Sequence, residues 1–509
     1  MELRHEQHVY LAHAMILSAD KRLVAALAAI FALRLAAGGL LPLSADEAYY
    51  WVWSQHLAPG YFDHPPMVAW LIRCGTFLFG DTAFGVRAGG IALSFAATWF
   101  VWQSATLLSD TASRERHGAL AALLFNLTLM IGVETLAATP DSPSIFTASV
   151  FLWALARFSR SHDGRWWLAA GAAAGLGLLS KYTALFLGAG ALAWLVFSRP
   201  VRPALRTIWP YLGGVIALAI FLPNIWWNAQ HHWATFNFQF GRVDRGDLTL
   251  RYVLDFWGAQ LVLATPFLLA LGCFGIAAAA RQPTSRRFLI AAMILPATVY
   301  FIVHSLHARV EGNWPCFLYP ALAIAAAEAL RGHGTDRWRV REWTGRLTIP
   351  VAAMMLIAAY TQALMGIIPM GRKDPLARLL AVGLPEVTEQ IETLRIQNKA
   401  RAILTTDYAT TGWLAFYMPV KSPVVLVGET FRFPDAPMLS AETARQPMLY
   451  VAELRHDKRD AVLAHFANVK EIARIDRKRA DVVIAHYVVY RASWPYGESV
   501  GRVAYAPTP

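Results

Sequence analysis

Leu40-Leu41-Pro42-Leu43-Ser44-Ala45-Asp46-Glu47-Ala48-Tyr49-Tyr50-Trp51 decides how this chain is read. The stretch closes an apolar run that starts at Leu23 and sets two adjacent carboxylates where that run stops. A run of this length spans a hydrocarbon core as one helix. Ionisable groups at such a boundary are costly unless they are solvated or used. A few residues later comes Gly60-Tyr61-Phe62-Asp63-His64-Pro65-Pro66. Three carboxylates and a histidine among aromatics and a double proline have the composition of a site.

The rest of the chain agrees with a membrane setting. Of its 509 residues, 56% are hydrophobic and 16% charged, against about 25% charged in ordinary soluble domains. Eleven apolar runs are candidate spans: 23–43, 85–108, 118–137, 142–157, 166–180, 183–197, 207–227, 252–279, 288–306, 314–330 and 347–367. The expectation is a polytopic α-helical membrane protein of about 11–13 transmembrane helices. Its membrane domain covers residues 1–368, with outer loops at 44–84 and 228–251. After residue 368, strand and helix patterns alternate, predicting a small C-terminal α/β domain over 369–509. Its expected strands are Ala402–Thr406, Val424–Val427, Met448–Val451 and Val482–Tyr490; its expected helices are Pro385–Gln397 and Lys458–Phe466.

The net charge of +12 raises the question of nucleic acid. Its placement answers otherwise. With Lys21 and Arg22 inside, alternate loops carry Arg114 and Arg116, then Arg157, Arg160 and Arg165, then Arg199, Arg202 and Arg206, and later Arg281, Arg286 and Arg287. The opposite loops carry few basic residues: Lys181, Arg242, Arg245, Arg251 and Arg309. This is the positive-inside pattern. It puts the 46–66 loop, Thr139-Pro140-Asp141, Lys181, the 228–251 loop and Arg309 on one outer face, with the C-terminal domain. Basic residues that break the pattern are the ones to suspect of function. Cys74, Cys273 and Cys316 show no metal-ligand or disulfide spacing.

Each candidate has a structural reading beside a chemical one. Ser44-x-x-Glu47 fits a capping box, which uses Glu47 and leaves Asp46 as a general base whose pKa rises on partial burial. Tyr49, Tyr61 and Asp63 flank it. The Pro-Pro turn is rigid, and it aims His64 at an anion or leaving group. Asp141 is either a helix N-cap or a second carboxylate facing the same space. Lys181 either snorkels or meets an anionic ligand. Arg242 and Arg245 suit phosphate or carboxylate, or simply solvate a loop. Arg309 pairs with phosphate, or with Glu311. No phosphate-cradling loop or zinc-protease motif is present.

The Asp46-Glu47 pair after the first span, the aromatics, the Pro65-Pro66 turn, Thr139-Pro140-Asp141, Ser180-Lys181-Tyr182 and Arg309–Pro315 together resemble the membrane-embedded GT-C glycosyltransferases. The branch is that of the protein O-mannosyltransferases and the aminoarabinose transferases of lipid A. The resemblance implies a GT-C fold and a polyprenyl-phosphate sugar donor, with transfer at the outer face of a bacterial inner membrane. It implies that Asp46 is the catalytic carboxylate, with Glu47 and Asp141 beside it. Arg309, Lys181 and His64 would bind the donor phosphate. Arg242, Arg245, Tyr49, Tyr61, Asp63 and Glu311 would recognise the acceptor or the sugar. The aminoarabinose enzymes carry a lysine before the Pro-Pro pair, where this chain has His64. The expected acceptor is lipid A, lipopolysaccharide or another envelope glycan. Protein O-glycosylation and, from a different class, lipid-linked-sugar flipping are the alternatives. No cofactor and no resident metal are required, although a divalent cation has room to assist. A monomer among membrane lipids, without nucleic acid, is expected.

Overall fold

The computed structural model describes residues 2–110, 113–241, 248–331, 338–497 and 500–506, with side chains outside 2–20 and 331–342. All eleven apolar runs fold as helices. Among the described residues, five helices are long and apolar enough to cross a membrane: Lys21–Leu40, Ala83–Leu108, Trp209–Gln230, Phe288–Ser305 and Trp343–Met365. The 252–279 run, read as one span, is two helices, Arg251–Leu263 and Pro266–Ala280, bent by 104°. Pro266 cannot supply an N–H to the preceding turn, and Thr265 at the break has φ 67°. Along Trp209–Gln230 the exposed residues include Leu212, Val215, Leu218, Leu222 and Trp226. Spacings of three and four put these on one face, an apolar face suited to lipid.

At one end of the bundle lies the helix Ala45–Gln55, which does not cross it. Ser44 and Glu47 form the predicted capping box: Glu47 N donates to Ser44 Oγ at 3.2 Å and Ser44 N to Glu47 Oε2 at 2.8 Å. The box is half of a larger knot. Arg87, inside the Ala83–Leu108 helix, donates to Glu47 through Nε (2.6 Å) and Nη2 (2.7 Å). Its remaining donors reach the carbonyls of Gly38, Leu41 and Pro42, at 3.2, 2.6 and 2.9 Å. Ala138 N adds a bond to Glu47 Oε1 at 3.0 Å. One buried guanidinium thus satisfies the carbonyl end of the first helix, which would otherwise be orphaned. It also fixes the start of the next helix.

The C-terminal residues form a six-stranded sheet of β1 (Ile403–Thr405), β2 (Val424–Leu426), β3 (Met448–Glu453), β4 (Phe466–Arg479), β5 (Val482–Pro495) and β6 (Arg502–Tyr505). The order is β4-β5-β3-β1-β2-β6. β1 is parallel to β2 and β3, while the other pairs are antiparallel. Four strands and the Leu384–Gln397 helix stand where the patterns put them. The stretch 458–466, expected as a helix, keeps only Arg459–Leu463 helical and runs into the unpredicted strand β4. Its buried positions are irregularly spaced and charged residues crowd its length, so the period-2 signal is masked.

This sheet does not stand apart from the bundle. The helix Tyr408–Tyr417 lies against Ala45–Gln55, and a Cβ on Gly412 would come within 2.7 Å of Tyr49 N. Only glycine permits so close a backbone approach. Tyr49, Trp51 and Trp53 share one apolar core with Leu384, Leu414, Val424 and Leu449. Tyr417 Oη accepts a hydrogen bond from Leu43 N at 2.7 Å.

Candidate functional site

Between the Ala45–Gln55 helix and the bundle lies a cavity of about 720 Å³. Asp46, Tyr50, His64, Asp141, Lys181, Gln239, His304, Glu311, Asn313 and Tyr408 line it, with Tyr182, Phe186, Phe240, Tyr300 and Trp314 supplying apolar wall. Residues up to 362 positions apart in sequence therefore face one space.

Asp46 sits one residue from the Arg87 knot, so its backbone is fixed. Among the described residues its side chain has one hydrogen bond, accepted by Oδ1 from Tyr408 Oη at 3.2 Å. Burial pushes the Asp46 carboxyl above its ordinary pKa; the Tyr408 hydroxyl opposes that shift, Asp63 and Glu47 add to it, and Arg432 opposes it. A carboxylate so placed is poised to take a proton.

Glu47 has a different part. Arg87 and the Ser44 and Ala138 backbone N–H groups hold it below the usual carboxylate range against the cost of burial. Both its oxygens are engaged, and it does not line the cavity. Its role is structural.

Asp141 starts the helix Asp141–Ser161. It receives Lys181 Nζ at 2.6 Å and Cys316 Sγ at 3.0 Å on Oδ1, and Asn313 Nδ2 at 2.7 Å on Oδ2. Lys181 interrupts two apolar helices with an extended residue at their break (φ −157°, ψ 137°), and its buried ammonium meets Asp141 rather than snorkelling to water. Its ammonium has three donors, of which Asp141 takes one. Glu134, at the end of the helix Leu129–Glu134, accepts a hydrogen bond from Thr139 Oγ1 at 3.2 Å.

Other candidates separate from the cavity. Arg309 is well exposed (67%), pairs with Glu311 at 3.4 Å, and is not among the lining residues. The ion pair read as its structural alternative is what forms, and Glu311 is the partner that reaches the cavity. Asp63 is buried, accepting Tyr49 Oη at 2.6 Å and Arg432 Nη1 at 2.6 Å. Tyr49 is thereby used in the scaffold. Tyr61 stacks on Trp53 at 4.4 Å and hydrogen-bonds backbone groups of Trp53, His56 and Ala58. It lines a second space, of about 460 Å³, beside His231 and Asp435. His231 there pairs with Asp435 at 2.8 Å. Arg242 and Arg245 lie outside the described residues. No group of three His, Cys, Asp or Glu side chains converges among the described residues.

Sequence reasoning missed four contributors. His304 ends the helix Phe288–Ser305, and its Nε2 is buried without a partner among the described residues. Gln239 donates to the Asp63 carbonyl and lies 3.5 Å from His64 Nδ1. Tyr408 and Arg432 come from the C-terminal residues, where only the tertiary contact reveals them.

Residues 63–227 match the family described as dolichyl-phosphate-mannose-protein mannosyltransferase. The lipid A galacturonosyltransferase RgtD of Rhizobium johnstonii is 28% identical over 289 residues, 55% of this chain and 59% of that protein. An undecaprenyl phosphate-alpha-4-amino-4-deoxy-L-arabinose arabinosyl transferase of Sodalis glossinidius is 28% identical over 347 residues, 63% of this chain and 59% of that protein. The matches thus span under two thirds of these relatives. The crystal structure of ArnT from Cupriavidus metallidurans bound to undecaprenyl phosphate superposes with a TM-score of 0.64, at 17% identity, covering 92% of this chain and 97% of that one. The chain has the GT-C fold of the membrane-embedded glycosyltransferases. Within that fold its sequence is similar to proteins described as protein mannosyltransferases and lipid A sugar transferases.

Proposed function

We propose that this protein transfers a sugar from a polyprenyl-phosphate donor to lipid A, lipopolysaccharide or another envelope glycan, with inversion. The observation that carries the reading is the pairing of half-buried Asp46, its pKa raised, with the Lys181–Asp141 pair around one cavity. RgtD and the arabinosyl transferase, named for lipid A and undecaprenyl phosphate chemistry, support the donor and acceptor classes. The site faces the outer side of a bacterial inner membrane in this reading, as the arginine pattern favours.

The acceptor hydroxyl gives its proton to Asp46 and its oxygen attacks the anomeric carbon. The bond from that carbon to the phosphate oxygen breaks, and polyprenyl phosphate leaves. Lys181 meets the phosphate with the donors that Asp141 leaves over, stabilising charge as the bond breaks. Asp141 and Asn313 hold Lys181 in place, and His64 and His304 line the phosphate's surroundings. No nucleotide enters, because the phosphate is itself the leaving group.

Lys181→Gln is expected to raise the KM for donor about tenfold or more, the worth of one charge-assisted hydrogen bond, with a smaller effect on the KM for acceptor. Equal effects on both would remove Lys181 from the phosphate. The decisive experiment supplies purified protein with labelled polyprenyl-phosphate sugars and extracted lipopolysaccharide, with and without chelator. Mass spectrometry of lipid A and core from a deletion strain accompanies it. Label on glycolipid supports the proposal, and label on protein would move the acceptor to polypeptide. Transport of the lipid-linked sugar without any transfer would make the protein a flippase.

A further inference from the structure

We infer that the C-terminal domain supplies two positioning residues, Tyr408 and Arg432, that set the orientation and protonation of Asp46. The inference rests on the transferase reading above. Its basis is a chain of contacts that crosses from the sheet domain to the cavity. Tyr408 starts the helix Tyr408–Tyr417, whose N-cap Asp407 accepts Thr410 N at 2.8 Å. That cap fixes the first turn, and with it the direction of the Tyr408 ring. The ring packs against Tyr49 at 4.9 Å, and its hydroxyl donates to Asp46 Oδ1 at 3.2 Å. Arg432 lies over the face of the same ring, 4.4 Å from its centre. It is anchored on both sides, at 2.6 Å to Asp63 and 2.7 Å to Glu429.

Arg432 is held from both sides. Asp63 takes both Arg432 and the Tyr49 hydroxyl, so the cation above Tyr408 cannot drift. A cation on the ring face also holds the ring in place. Tyr408 itself lines the cavity and touches Asp46 directly, whereas Arg432 acts through it and through its own charge. The groups that act on Asp46 come from several elements. Glu47 lies on its own helix, and Asp63 and His64 on the 56–66 segment. Glu134 follows from the helix Leu129–Glu134, and Tyr408 and Arg432 from the sheet domain. Of these, Tyr408 and Arg432 favour the ionised carboxylate, while Asp63 and Glu47 disfavour it.

A donated hydrogen bond lowers the pKa of its acceptor carboxylate, so losing it raises that pKa. The base form of Asp46 then disappears at a higher pH, and the acidic limb of the rate profile moves in the alkaline direction. A residue with a purely structural part would lower the amount of folded protein without moving that limb.

The test compares four full-length variants in the transfer assay across pH. Wild-type protein must transfer sugar, or the transferase reading itself fails; Asp46→Asn must be inactive, or another group accepts the proton. Tyr408→Phe keeps the ring under Arg432 and loses only the hydroxyl. It is expected to lower kcat about tenfold and to move the acidic limb up by about one pH unit, with donor KM within about twofold. Arg432→Gln is expected to move the limb the same way, and Arg432→Lys to restore part of the shift. If Asp46→Asn is inactive while Tyr408→Phe keeps the wild-type kcat and acidic limb, the positioning role is overturned. If Arg432→Gln fails to fold, Tyr408→Phe decides the outcome alone.

Discussion

Asp46→Asn is expected to abolish turnover, lowering kcat by about 10³-fold, while the protein still folds and still binds donor. The amide is nearly isosteric and its oxygen can still accept the Tyr408 hydroxyl, so the contact at 3.2 Å survives. What disappears is the capacity to take a proton, and a positioned general base is worth about 10²–10⁴ in rate. The Arg87 knot one residue away does not involve the Asp46 side chain, which protects the fold. Single-turnover transfer on matched amounts of folded protein gives the measurement. Retention of more than about a tenth of the rate would mean that another group accepts the proton.

The second large effect concerns stability rather than chemistry. Arg87→Met should destabilise the protein by about 3–5 kcal/mol, because it leaves the Glu47 carboxylate buried and unpaired. Arg87 and Glu47 side chains are 2% and 1% exposed, so solvent cannot take over. The substitution also strands the Gly38, Leu41 and Pro42 carbonyls at the end of the first helix. Combining it with Glu47→Gln should recover part of the loss, since the uncompensated charge is then gone. Thermal unfolding in detergent or bicelles reads both. An Arg87→Met protein as stable as the parent would show that water or another group pairs with Glu47.

The sequence was most informative where one local rule acted alone. The capping box is visible as Ser44-x-x-Glu47, and it formed. The carboxylate beside it, Asp46, was left over by that box and is the one that lines the cavity. Lys181 stood out because it breaks both an apolar stretch and the charge pattern, and it too reaches the cavity. Arg309 broke the same charge pattern but satisfies itself locally with Glu311; a topology rule cannot tell an outward cation from an inward one. Arg87 was invisible because a single arginine in a long apolar window reads as noise, although it ties three elements together. The bend at Thr265-Pro266 had its signal in the proline, outweighed by the hydropathy of its flanks. Tyr408 and Arg432 had no local signal at all. Their meaning lies in contacts to Asp46 and Asp63 across more than 360 residues, and a single chain carries no trace of which distant partners meet.

The core shared by the Ala45–Gln55 helix and the sheet domain has a consequence for biogenesis. Residues 45–55 emerge early in synthesis, but their apolar side is covered by Leu384, Leu414, Val424 and Leu449, made much later. Until then Trp51 lacks its ring partners Phe416 and Tyr505, and Asp46 lacks Tyr408. The nascent protein is therefore both sticky and chemically unfinished. The last portion to be made shields that surface and brings Tyr408 to Asp46 in a single docking step, so in the proposed mechanism a ribosome-bound or truncated chain carries no competent centre.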